Sequence, residues 1–214
     1  MKKLLFWMVL IVGIVVLLGS CAKKDEATAA AASTSVTSTT ASGSITVGSE
    51  TLSGTYVSTC NTTQFAAAAG TQIFPSDVKS GKSVFVVTSD TTFSDELLMY
   101  TDTSCSTPSA YSKSGRDNVT VGDAVDNGTK VTFNSSTYKV NAYTAGARDN
   151  MTAALIANIP DIDLTTLGQE SSHGGSNSAY KNLWSVTSTT FQQGEELDNG
   201  TQPTAMDSMV MTKE

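Results

Sequence analysis

From Ile45 onward the chain consists of short runs rich in Thr, Val, Tyr and Phe, separated by turn residues. The runs recur about every 8 to 12 residues, the spacing typical of antiparallel sandwiches and barrels. The pattern predicts strands at 51–60, 83–89, 92–101, 118–125, 129–135 and 137–144, with 179–193 and 206–213 supplying the last strands. A strand with one apolar face needs a second sheet or a closed barrel to cover it, so we expect an all-β domain of about eight or nine strands.

Two segments do not follow this strand pattern, and their residues predict short accessory helices. Residues 64–70 read QFAAAAG, with good helix formers followed by a Gly suited to a C-terminal cap. Residues 150–159 place apolar side chains on one stripe and stop before Pro160. Between two of the predicted strands, Asp126-Asn127-Gly128 predicts a tight hairpin, because Asn and Gly accept positive φ.

The N-terminus has the layout of an export signal. Lys2 and Lys3 precede an apolar run from Leu4 to Leu17, which is shorter than the about 20 residues that a membrane-spanning helix needs. The run closes with Leu18-Gly19-Ser20-Cys21, which resembles the lipobox of bacterial lipoproteins. The resemblance implies that residues 1–20 are a signal peptide, cleaved before Cys21, and that Cys21 carries a diacylglycerol and an acylated amino group. A cleaved signal without lipid and an uncleaved anchor are the alternatives.

The same resemblance predicts where the protein resides. Two or three acyl chains anchor a protein stably to a bilayer, so we expect a lipid-anchored protein of the bacterial cell envelope whose membrane partner is reached through Cys21. In lipoproteins an Asp after the cysteine often favours retention at the inner membrane. Ala22 stands at that position, which implies the outer membrane if the cell has two membranes.

Composition predicts a tether between the anchor and the domain. Residues 22–44 are dominated by Ala, Ser and Thr, with Val36 as the only large apolar residue. Such a segment cannot bury enough apolar surface to fold. The sequence therefore predicts a disordered tether at 21–44 and one β-barrel-like domain at 45–214.

Charge argues against a nucleic-acid partner. Removing Lys2 and Lys3 from the 13 basic residues leaves 11, against 20 acidic residues, a net charge of −9. Phosphate contacts need clustered Lys and Arg, which a chain this acidic does not offer. Solubility is the simplest explanation of the acidity.

Cysteine count predicts a disulfide. If Cys21 is lipidated, Cys60 and Cys105 remain as a pair in an exported, oxidising setting. Two free thiols are the alternative.

No catalytic, metal or cofactor motif is complete. Gly81-Lys82-Ser83 lacks the Gly that a phosphate-binding loop carries five residues earlier. His173 is the only histidine, and no nucleophile elbow accompanies it, so we read it as a polar loop residue. One His and no spare Cys exclude an ordinary structural zinc site. The sequence predicts no enzyme, no metal and no cofactor.

The domain also resembles the lipocalin-like barrels. Gly54-Thr55-Tyr56 stands on the first predicted strand where lipocalins carry G-x-W, and a short helix follows before the meander of hairpins. Tyr replaces the usual Trp, and the only Trp of the mature chain is Trp184. The resemblance implies an antiparallel meander closing into a barrel, with a β-sandwich as the alternative fold.

Two non-catalytic functions follow from these expectations. The first is a lipid-anchored binding protein that holds a small apolar ligand, with Trp184 on an inward face as the candidate ligand contact. The second is an interaction or structural lipoprotein of the envelope, with a filled barrel and a protein partner. Residues 168–178, rich in Gly and Ser, are either a lid or a neutral insertion.

Overall fold

The computed structural model describes residues 37–71, 73–155, 159, 161–195 and 200–214. Two helices are present in this part of the chain, α1 (Thr63–Ala68) and α2 (Ala145–Leu155). The strands are β1 (Ile45–Val47), β2 (Glu50–Leu52), β3 (Thr55–Ser58), β4 (Ser80–Val87), β5 (Phe93–Tyr100), β6 (Pro108–Val125), β7 (Gly128–Ala142), β8 (Ser171–Gly174), β9 (Ala179–Val186), β10 (Thr190–Gly194) and β11 (Met206–Lys213).

Eight of the strands form a closed antiparallel barrel. They follow one another around the wall in chain order, β3 to β7 and then β9 to β11. The ring closes between β11 and β3, where Met211 lies opposite Ser58 and Lys213 opposite Tyr56. The expected meander barrel is thus confirmed and the sandwich alternative is wrong. β8 is an extra strand on the edge of β7, and β1 and β2 form a separate hairpin.

The hairpin of β6 and β7 is the longest feature of the sheet. Its turn falls at Asp126 and Asn127, as predicted. The two strands expected at 129–135 and 137–144 are instead one strand, β7. A register shift explains the difference, because Gly115 pairs with Thr137 whereas Arg116 pairs with Ser135. The extra residue is a β-bulge, which bends a strand without ending it.

Both helices lie near their predicted positions. α1 falls within one residue of the expected start. α2 begins at Ala145, five residues before the expected start, because the side chain of Thr144 accepts a hydrogen bond from the N–H of Ala147 at 3.0 Å and caps the helix. The helix was predicted to end at Ile159, which is described and is not helical, whereas residues 156–158 lie outside the described part.

Two other sequence predictions need correction. The strand expected at 51–60 is broken into β2 and β3 at Gly54, whose φ of 89° lies in the left-handed region that favours glycine. The Gly- and Ser-rich segment 168–178 is not all loop, since its residues Ser171–Gly174 form β8.

Residues Thr37–Ser42, which we call the strap, lie against the outside of the barrel. The side chain of Glu96 is buried and accepts hydrogen bonds from Thr37 Oγ1 and Thr39 Oγ1. Lys113 Nζ donates to Ser38 Oγ at 2.6 Å. The compact unit starts at Thr37, so residues 37–44 of the predicted tether belong to it. Residues 1–36, which contain the predicted signal peptide and Cys21, lie outside the described part.

Candidate ligand site in the barrel interior

One half of the barrel interior is filled by aromatic side chains. Trp184 is fully buried, and its ring centroid lies 5.3 Å from Phe93 and 5.5 Å from both Phe85 and Phe191. The β1–β2 hairpin packs on the same cluster through Ile45, Val47 and Leu52. We call this group the aromatic cluster; its buried members are Ile45, Val47, Leu52, Tyr56, Phe85, Val87, Phe93, Val119, Val131, Phe133, Trp184, Phe191 and Met211.

Trp184 thus faces inward. However, aromatic rings occupy the space beside it where the sequence predicted a bound ligand. A ligand would have to displace at least one of these rings to contact the indole directly. Close packing of this kind fills a small barrel with side chains rather than leaving a cavity.

The opposite end of the barrel is closed by the helices. Met99 and Val140 on the wall pack with Met151 and Leu155 of α2 and with Phe65 of α1. A Cβ on Gly81 would overlap the ring of Phe65, so glycine is required for this close approach. The predicted disulfide Cys60–Cys105 lies at this end, with a Cα–Cα distance of 5.9 Å, and joins the segment before α1 to the β5–β6 turn.

Polar side chains separate the two apolar ends. Along β5 the inward positions read Phe93, Asp95, Leu97 and Met99, so Asp95 follows the aromatic cluster and precedes the helical end. Asp95 Oδ1 accepts a hydrogen bond from Gln193 Nε2 at 2.8 Å. Because β5 and β10 are four strands apart in an eight-stranded ring, this bond crosses the interior between opposite walls.

Arg116 completes this polar layer. Its guanidinium carbon lies 4.7 Å from the ring centroid of Tyr180 and 5.6 Å from that of Phe133. Its Nε lies 3.8 Å from Asp95 Oδ2, and within the described residues Nε is buried without a hydrogen-bond acceptor. We call Asp95, Arg116 and Gln193 the polar belt.

The polar belt is not sealed from solvent. The side chain of Arg116 is 16 % exposed and that of Asp95 is 26 % exposed. Strand alternation places further half-buried side chains on the inner wall beside them, namely Ser83, Leu97, Ser114, Tyr138, Tyr180 and Met209. The interior therefore contains the close-packed aromatic cluster and, next to it, a partly exposed layer of charged, hydroxyl and apolar groups.

Tyr138 is a neutral member of this wall. Burial raises the pKa of its phenol to about 12, an effect that a hydrogen bond involving Ser112 partly offsets. At neutral pH the hydroxyl is thus protonated and offers both a donor and an acceptor to the interior.

A second concave surface lies outside the barrel. It is an open groove of about 380 Å³ lined by Thr120, Gly122, Asp123, Lys130, Thr132, Lys181 and Gln202. The groove carries both acidic and basic side chains and is open to solvent, whereas the polar side chains of the interior are partly desolvated.

The other candidate residues are not gathered into a site. His173 lies on β8, with Nδ1 3.2 Å from Asp161 Oδ2. In the described part of the chain, no hydroxyl or thiol donates to this ring, so no nucleophile accompanies the pair. Among the same residues, no three His, Cys, Asp or Glu side chains are placed to hold a metal ion.

Sequence reasoning missed all three belt residues. One signal was available, since a charged residue at an inward position of a strand, as in FSDELLMY, departs from apolar alternation.

The sequence matches no protein-family model, and no curated protein matches it. In the part of the chain that the structure describes, neither helix is both long enough and apolar enough to span a bilayer.

Proposed function

We propose that this chain is a lipid-anchored lipoprotein of the bacterial cell envelope that binds a small, mainly apolar ligand inside its barrel. The observation that carries the binding role is the exposure of the polar belt. Charged side chains placed between two apolar clusters cost free energy when they are desolvated, and here they keep partial access to solvent, so a polar group of a ligand can reach them. The site differs from the one that the sequence suggested, because the ligand would lie above the aromatic cluster rather than against Trp184.

The anchor rests on the leader and on Cys21. Labelled fatty acid should be incorporated into the wild-type protein and not into Cys21→Ser, which should also remain as an uncleaved precursor. Labelling that persisted in Cys21→Ser would overturn the anchor. Ala22 supports an outer-membrane destination, and fractionation with the inner membrane would contradict that part alone.

Ligand binding can be followed through the one tryptophan of the mature chain. Trp184 is stacked near Phe133, and Phe133 stacks on Tyr180 at 5.8 Å, so a ligand beside Tyr180 would reach the indole through one ring. The neutral fluorophore phenylnaphthylamine is a suitable apolar probe. We expect saturable binding together with a change in Trp184 emission.

A pair of variants separates interior from surface binding. Ser114→Phe fills the inner wall and should abolish binding, whereas Thr212→Phe adds the same ring to the exposed outer face of β11 and should not. Equal binding by both variants would exclude the interior as the site.

The second candidate function is an envelope interaction protein with a filled barrel. The packing of Trp184 favours it, because half of the interior is already occupied by side chains. It becomes the better explanation if neither phenylnaphthylamine nor its sulfonated counterpart, anilinonaphthalene sulfonate, binds.

A further inference from the structure

We infer that the interior site prefers ligands carrying a single anionic group, and that Arg116 binds that group. This inference rests on the proposed ligand-binding function. It adds the chemical class of the ligand, a small monoanion such as a carboxylate or sulfonate attached to an apolar or aromatic body.

The first argument is the hydrogen-bonding state of Arg116. A guanidinium has five N–H donors on more than one edge. Asp95 lies near Nε only, and 3.8 Å exceeds hydrogen-bond distance. Within the described residues no acceptor meets Nε, although the side chain is 84 % removed from solvent. A guanidinium that is this desolvated gains most from a bidentate oxyanion.

The second argument is how Asp95 is held. Gln193 donates to Asp95 Oδ1 from the opposite wall, so part of the hydrogen-bonding capacity of the carboxylate is directed away from Arg116. Asp95 therefore offsets the charge of Arg116 through space without occupying the donors of the terminal amines. The guanidinium can then accept a second anion on another edge.

The third argument concerns the body of the ligand. The guanidinium lies over the ring of Tyr180, and Phe133 of the aromatic cluster lies on the same cation. Leu97 lies two residues from Asp95 on the same face of β5 and offers half-buried apolar surface. A ligand with an anion at Arg116 would extend its apolar part along these side chains.

The net charge of the chain opposes the expected preference for an anionic ligand. A mature net charge of −9 repels anions in general, so stronger binding of an anion than of its neutral counterpart requires a local cation.

The test uses two probes with the same aromatic skeleton, anilinonaphthalene sulfonate and its neutral parent phenylnaphthylamine. For the wild-type protein we expect the sulfonate to bind at least about tenfold more tightly, the gain of one charge-assisted hydrogen bond in a partly buried site. Octanoate should displace the sulfonate more effectively than octanol does.

Variants assign the preference to one residue. Arg116→Gln should weaken the sulfonate at least about tenfold more than it weakens phenylnaphthylamine. Arg116→Lys keeps the charge but loses the planar fork, so its loss should be intermediate. Lys130→Gln removes a cation from the outer groove and should leave both probes unchanged.

The outcomes are separable. Equal binding of both probes by the wild-type protein would overturn the inference and leave the proposed function standing, and that comparison needs no variant. An equal loss of both probes in Arg116→Gln, or loss of the sulfonate in Lys130→Gln alone, would also overturn it. If neither probe binds, the proposed function fails as well.

Discussion

Asp95 and Gln193 form a hydrogen bond of 2.8 Å across the barrel, although 98 residues separate them in the sequence. The bond joins opposite walls at the level where the aromatic cluster ends. It also fixes the position of the carboxylate beside Arg116.

Removing this bond should destabilise the barrel. In Gln193→Ala the carboxylate of Asp95 loses a donor in a partly buried setting, so we expect the free energy of unfolding in urea to fall by about 1.5–3 kcal/mol. Gln169→Ala, an exposed position, is the control and should change it by less than about 0.5 kcal/mol. Similar values for the two variants would mean that the cross-barrel bond contributes nothing.

The disulfide should be a major source of stability. Replacing both Cys60 and Cys105 by Ser removes a cross-link that closes a long loop, and the chain-entropy model gives a loss of about 4 kcal/mol. Thermal unfolding of the mature domain with and without the double substitution measures it. Mass spectrometry without reductant should find the domain two hydrogens lighter than its reduced form; alkylation of both thiols without reductant would contradict the bridge.

The strap should depend on Glu96. In Glu96→Ala the hydroxyls of Thr37 and Thr39 lose their acceptor, so hydrogen exchange at residues 37–42 should accelerate and the free energy of unfolding should fall by about 1–3 kcal/mol. Glu50→Ala removes a carboxylate from β2 without touching the strap. Unchanged exchange in Glu96→Ala would show that other contacts hold the segment.

Alkaline pH should destabilise the domain through Tyr138. Its pKa is about 12 in the folded protein and 10.0 when solvated, so the folded state holds the proton more tightly. The stability that this provides is complete below about pH 10 and is lost as pH rises towards 12, a fall of up to about 2 kcal/mol. Urea unfolding across this range should show a shallower decline for Tyr138→Phe. Parallel curves for the two proteins would contradict the assignment to Tyr138.

The sequence correctly predicted the features that depend on a few neighbouring residues or on residue type, such as the hairpin turn and the disulfide. The hairpin turn falls at the predicted place between Val125 and Gly128, although Asn127 does not have the positive φ on which the prediction was based. Cys60 and Cys105 form the disulfide that the number of cysteines predicts. Both signals act within the segment or by residue type, so neither depends on knowing which strands become neighbours.

Other segments were misread because tertiary pairing overrode composition. The strand predicted to start at residue 118 in fact starts at Pro108, and it includes Gly115, where a Cβ would clash with the hydroxyl of Thr137. Ser171 to Gly174 resemble loop, yet they pair with Thr137 to Val140, because β9 contacts β7 only from Thr129 to Asn134 and leaves that edge open.

The polar belt could not be predicted for a related reason. Alternation shows that Asp95 and Gln193 each point to one side of a strand, but it does not show that β5 and β10 face each other. That relation arises from closing eight strands into a ring. Composition likewise could not decide that the aromatic residues fill the space around Trp184.

The length of the β6–β7 hairpin bears on self-association. β5 accompanies β6 only as far as Arg116, so among the described residues no strand pairs with the outer edge of Thr120 to Val125. An unpaired edge is a template on which another copy of the chain can add a strand. Here the edge is interrupted by register shifts after Asp117 and Val121, and it carries the charge of Asp123. Because of these irregularities, the edge does not present a neighbouring copy with a continuous row of backbone N–H and C=O groups. The edge therefore disfavours the growth of fibres by strand addition.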